Sequence, residues 1–171
     1  KGEADGRIQG ERGQGDAGSG RFSRLLRDGA TLTRHRPFHL AFPVHDLGAA
    51  RDFYAGVLGC REGRASDEWI DFDLYGNQIT VHLVPGAAGD AAVKKVDGHG
   101  VPIPHFGVIL TMPDWHVLRE RIEAAGIVFG VAPHIRWAGK PGEQATMFFR
   151  DPSGNALEFK AFGDDSAIFA T

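Results

Sequence analysis

Apolar and polar positions recur in the same order twice along this chain. PFHLAFPV, residues 37–44, is an apolar, β-prone run that reads as a strand. Asp46 then suits the N-cap of a helix over LGAARDFYAGVLG, where Ala49, Phe53 and Val57 share one stripe, Ala50 and Tyr54 lie alongside, and Gly59 ends it. CREGRA, WIDFDLYG and QITVHLVP follow as three strands broken by polar residues and glycine. In the second half PHFGVILTM reads as a strand. Pro113 suits the first turn of the helix PDWHVLRERIEAAG, with Trp115, Leu118, Ile122 and Ala125 on one face and Gly126 closing it. Strands around IVFGVAPHIRW, EQATMFFRD and NALEFKAF complete that half. Each half is strand, helix, then three strands. Such a unit leaves one sheet face bare, so two must pair to close a core.

The final strands make the repeat concrete, because Gly76-Asn77-Gln78-Ile79 aligns with Gly154-Asn155-Ala156-Leu157. The expected organisation is a tail over residues 1–36, a domain over 37–163 and a C-terminal tail over 164–171. Within the domain, module one covers 37–86 and module two 104–163. The Gly- and Ala-rich linker at 87–103 is long for a compact domain and suggests a crossover or a functional lid.

Composition narrows the class. The chain has 171 residues, 42% of them hydrophobic, enough for one sizeable core. A net charge of -3 gives no basic footprint for nucleic acid, and no stretch has the roughly 18 apolar residues of a membrane span. Cys60 is the single cysteine, expected to be a small buried hydrophobe in a reducing, cytoplasmic setting. The opening segment is Gly-rich and charged up to Gly20, then basic, and it starts at Lys1 rather than Met. It reads as a disordered or expression-derived tail on a fragment or processed form, with a targeting remnant disfavoured by Glu3, Asp5, Glu11 and Asp16.

Position separates the eight histidines. His39 and His105 occupy matching places when PFHLAFPV is laid on IPHFGVIL, and are expected to face each other across a pseudo-twofold axis. Glu158 is a carboxylate inside an apolar strand, where an unpaired burial is costly and a metal ion would relieve the cost. Two imidazoles and a carboxylate suit Fe(II), Mn(II), Zn(II) or Ni(II). Taken singly, each has an ordinary structural explanation; their matched placement favours the metal. His134 is the candidate general acid/base and Arg136 a candidate clamp for an anionic group. Gln144 opens the next strand, and GKPGE has the composition of a mobile flap or a plain turn. His45, His99 and His116 read as bystanders.

The segments FHLAFPVHDLGAARDFYAGVLGC and FFRDPSGNALEFKAF resemble the vicinal oxygen chelate superfamily, which includes glyoxalase I, extradiol dioxygenases, and fosfomycin- and bleomycin-resistance proteins. The resemblance runs from about Pro37 to Phe162 and is strongest to a bacterial group of predicted extradiol-type dioxygenases. It implies an α+β fold of two βαβββ modules pairing into a cup-shaped mixed sheet, helices outside, around one divalent metal. By resemblance His39, His105 and Glu158 are the ligands. A fourth ligand of glyoxalase I falls here on Thr80, a poor one, with His82 the candidate replacement in a shifted register. An acid/base Tyr of many extradiol enzymes falls on Phe148. The leading expectation is an Fe(II) dioxygenase acting on adjacent oxygens of a small catechol-like or enediol-like molecule. The alternatives are a glyoxalase-type isomerase or lyase and a metal-free binding protein. A homodimer, with modules exchanged between chains as one form, is implied by the family.

Overall fold

The computed structural model of the chain describes residues 36–89, 91–96 and 98–169. The expectations for the opening segment therefore lie outside the described residues, apart from Arg36.

Each half keeps the predicted order of strand, helix and three strands. Module one runs β1 (His39–Val44), α1 (Leu47–Arg51), β2 (Arg61–Ala65), β3 (Trp69–Leu74) and β4 (Asn77–Leu83). Its sheet has the order β1-β4-β3-β2, with β1 parallel to β4 and the rest antiparallel. Module two repeats this after a hairpin of β5 (Ala92–Val96) and β6 (His99–Ile103). It comprises β7 (Ile109–Leu110), α2 (Met112–Ala124), β8 (Val131–Arg136), β9 (Gln144–Arg150) and β10 (Ala156–Phe162), in the order β7-β10-β9-β8. A short 3₁₀ turn at Asp165–Ala167 follows.

Several expectations need correction. The linker, read as a crossover or a lid, carries a hairpin that the pattern did not predict, with β5 and β6 paired from Ala92↔Ile103 to Val96↔His99. The first strand of module two starts early, with Phe106 and Val108 already hydrogen-bonded to β10 before β7 begins. Between them a Cβ at Gly107 would fall on the Glu158 carbonyl, so the two backbones approach too closely there for a side chain. The first helix starts as expected at Asp46, whose carboxylate accepts from the Ala49 amide at 2.8 Å. It then widens over Asp52–Val57, where Leu58 N–H donates to the Phe53 carbonyl five residues back. Phe53 and Tyr54, adjacent in sequence, are both buried there. On α2, Trp115, Leu118 and Ile122 are buried and Ala125 caps the exposed end.

One core joins both modules. Ile70, Phe72, Leu74, Ile79 and Val81 from the first sheet meet Met147, Phe149, Leu157, Phe159 and Ala161 from the second, with both helices. Side chains alternate along a strand, so this packing sends the other face of each sheet away from the core. The two sheets remain separate and do not close into one cup within the chain.

The turn after β9 locks the modules together. Asp151 is buried and accepts from Tyr54 Oη at 3.0 Å and from the amides of Ser153 and Asn155. Asn155 Nδ2 donates to the Pro43 carbonyl, and the His45 amide donates to Ser153 Oγ. His45 is thus a pin between modules. Burial, with Asp151 second, raises the Tyr54 pKa well above 10. Burial likewise pushes Cys60 and Tyr75 up to about 12.

Candidate metal centre

Because Leu157 and Phe159 point into the core, Glu158 and Lys160 emerge on the opposite face of β10. Glu158 sits across from Phe148 on β9, with a side chain 10% exposed. Its Oε1 accepts from Thr146 Oγ1 at 2.7 Å. Its Oε2 lies 3.0 Å from His105 Nε2 and 3.5 Å from Lys160 Nζ.

His105 is oriented from behind, with Nδ1 2.6 Å from the Pro102 carbonyl. A carbonyl only accepts, so Nδ1 carries a proton, and Nε2 is the ring atom turned to Glu158. It stands 3.0 Å from a carboxylate oxygen, a spacing that a proton or a cation between the two atoms would hold. Two ligand atoms each about 2.1 Å from one metal, at right angles, stand about 3 Å apart. The pair fits a divalent ion, and its outer contacts are those such a site needs: a carbonyl behind the imidazole and a hydroxyl on the carboxylate.

His39 is elsewhere. It opens β1 on the first sheet, opposite Gln78, and is exposed. Among the described residues no group of three His, Cys, Asp or Glu is close enough to hold a metal. His39 and His105 do keep equivalent registers, because Leu40 pairs with Ile79 where Phe106 bridges Leu157. The expected meeting across the pseudo-axis fails within one chain because each His-bearing face turns away from the shared core.

The equivalent place in module one carries a different chemistry. Thr80 is buried and donates to Asp71 Oδ1 at 2.6 Å, while Gln78 Nε2 and Arg64 donate to Oδ2. His82 lies two residues on, exposed, opposite Trp69 and Pro43. It is not among the residues around His105 and Glu158.

Those two residues open onto a cavity of about 250 Å³, shared with His134, Arg136, Thr146, Phe148 and Lys160. His134 Nδ1 bonds the Ala132 carbonyl at 2.8 Å, which leaves Nε2 as its lone pair. The Arg136 guanidinium stacks on Trp137 at 4.4 Å. Gln144, which opens β9 as expected, is buried opposite Arg136 and Phe162. The GKPGE turn, open between a flap and a plain turn in the sequence, lines a separate cavity with Trp137 and Phe162.

Sequence reasoning passed over Lys160, Thr146 and His99. Lys160 was accessible from the two-residue period of β10; Thr146 required the β9–β10 register. His99, expected as a bystander, stacks on His134 with ring centroids 4.7 Å apart, because the linker folds as a hairpin that brings it to the cavity.

A model of the Glyoxalase/Bleomycin resistance protein/Dioxygenase superfamily matches residues 36–159. A solved glyoxalase/bleomycin resistance protein/dioxygenase from Alicyclobacillus acidocaldarius is 32% identical, covering 79% of this chain and 97% of its own, with a TM-score of 0.65. Two others share the fold at lower identity. A lactoylglutathione lyase from Agrobacterium tumefaciens is 20% identical over 81% of this chain and 99% of its own, TM-score 0.56. A genomically encoded fosfomycin resistance protein from Listeria monocytogenes is 19% identical over 78% and 98%, TM-score 0.54. No curated protein matches the chain. With duplicated modules in matching register and a family match over most of its length, the chain belongs to the glyoxalase/bleomycin resistance protein/dioxygenase superfamily, the vicinal oxygen chelate proteins.

Proposed function

We propose that the chain is a metal-dependent enzyme that chelates two adjacent oxygens of a small catechol-like or enediol-like molecule, and that it works as an Fe(II) dioxygenase. The observation that carries the metal reading is the His105 Nε2–Glu158 Oε2 approach at 3.0 Å, two ligand atoms close enough for one cation to join. His39 completes the ligand set from a second copy of the chain. It stands exposed on β1, and β1 and β7 are both sheet edges with unpaired backbone, where another copy can join. His82, on the same sheet face, is the fourth ligand in the variant of this reading that needs one.

The bound metal would act as a Lewis acid and template for the chelated oxygens. Thr146 and the Pro102 carbonyl hold Glu158 and His105 in place for it. His134 accepts a substrate hydroxyl proton at Nε2, and Phe148 excludes water beside His105, against which its ring packs edge-on at 5.2 Å. Arg136 holds an anionic group at the far end of the cavity. Among the described residues no helix is long and apolar enough to cross a membrane, and the buried, reduced thiol of Cys60 fits a cytoplasmic setting.

Elemental analysis of the purified protein tests this. One equivalent of iron per chain, lost in His105→Ala, together with oxygen uptake on a catechol, is the expected result. Nickel or zinc with oxygen-independent turnover would move the reading to an isomerase or lyase of the glyoxalase kind, and no metal in a folded protein would leave a binding protein. Mixing His39→Ala with His105→Ala subunits tests the shared site: heterodimers regain one intact site if the ligands come from two chains.

A further inference from the structure

The linker between the modules is fastened to module two at its start, near its tip and at its end. At the start the Gly89 amide donates to the Ser153 carbonyl at 2.7 Å, and a Cβ at Gly89 would fall on the Gly154 carbonyl, so backbone lies on backbone. Beside the β5–β6 turn, His99 stacks on His134 with ring centroids 4.7 Å apart and planes 25° apart. The His134 ring is itself tied to β8 through Nδ1 and the Ala132 carbonyl. At the end the Pro102 carbonyl accepts from His105 Nδ1 at 2.6 Å.

Between these points the hairpin is thinly held. Every residue of β5 is exposed, and in β5 and β6 only Pro102 is buried. Neither strand belongs to the sheet of a module, and a two-stranded hairpin is marginal by itself in water, so its order depends on its attachments. The one buried residue of the hairpin is the one whose carbonyl orients a ligand of the candidate metal centre. Loss of such an outer contact on a ligating imidazole weakens metal binding by about ten- to a hundredfold. The coupling is reciprocal: whatever factor the docked hairpin adds to metal affinity, bound metal adds to the docking of the hairpin.

We propose that His99 is a positioning residue of the metal centre. Its stack on His134 latches the β5–β6 hairpin, and the latched hairpin holds the Pro102 carbonyl against His105. His99 is not a ligand in this role. Val96, Val101 and Ile103 of the same hairpin line the cavity, so filling the metal position also firms the wall that a substrate meets. The inference rests on metal binding at His105 and Glu158, and it adds what tunes that binding.

Two measurements on the full chain test the latch. Fe(II), kept anaerobic, is the probe, at a protein concentration where the oligomeric state is the same with and without metal. Hydrogen exchange read by mass spectrometry is expected to slow about tenfold or more in β5 and β6 when Fe(II) binds, with β3 and β4 unchanged. Fe(II) affinity, from competition with a chelator, is expected to fall by about the same factor in His99→Ala. In metal-free His99→Ala the hairpin exchanges faster while β9 and β10 do not, which separates a loosened strap from a destabilised domain. His99→Phe keeps a ring on His134 without a ligand atom, and restores most of the affinity. Loss of Fe(II) in His99→Phe as severe as in His99→Ala overturns the latch. Fe(II) that binds and is lost in His105→Ala, with hairpin exchange and the His99→Ala affinity both unchanged, overturns the inference while chelation stands. No Fe(II) binding by the unaltered protein overturns both.

Discussion

The same position of a duplicated unit carries Thr80 in one module and Glu158 in the other, and the two surroundings have opposite logic. In module one Asp71 is met by Thr80, Gln78 and Arg64, so both of its oxygens accept from neighbouring side chains. In module two Glu158 is met by a hydroxyl, an ammonium at arm's length and an imidazole nitrogen. One face is closed by its own donors, and the other sets an imidazole nitrogen beside a carboxylate where a cation can bind. Duplication supplies two equal backbones; a handful of side chains decides which one can take a cation.

Disabling the cation-binding face should have the largest effect. Glu158→Gln keeps the shape and removes the charge, and metal affinity should fall by at least about a hundredfold, measured by competition with a chelator. Copying the carboxylate into the closed face should instead damage the fold. Thr80→Glu sets a second buried carboxylate against Asp71 and should cost about 3 kcal/mol in urea unfolding, with module two's metal content retained. Thr146→Val removes a contact behind Glu158 and should weaken metal binding by about tenfold without changing stoichiometry. The smallest effect lies at the join of the modules. Tyr54 and Cys60 have folded pKa values above their unfolded ones, so the stability they contribute is complete below pH about 9 and is lost as pH rises toward 12. Tyr54→Phe should flatten that alkaline decline and cost about 1 kcal/mol at neutral pH, read from unfolding at several pH values.

Much of this was legible in residue order. The alternation in WIDFDL and the Gly-Asn turns placed β3, β4, β9 and β10 and the Thr80–Glu158 equivalence, because local period and turn chemistry decide strand existence and face. Gly107 hid its meaning, since the close approach of a backbone distant in sequence leaves no local trace. His99 was misplaced for a related reason: only the β5–β6 pairing carries it to His134. Glu158 with His105 could be matched by repeat position, whereas the separation of His39 follows from which sheet faces share a core, a choice made by the whole chain.

The turn Asp151–Asn155 has a consequence for how relatives of this protein are recognised. Its acid, serine and asparagine are spent on Tyr54, on backbone amides and on the Pro43 carbonyl, and none of them faces the cavity. A pattern built on DPSGN therefore gathers proteins by how their halves are fastened, whatever reaction those proteins perform. Sorting such a collection by chemistry calls for the residues one face away, at the positions of Phe148, Glu158 and Lys160.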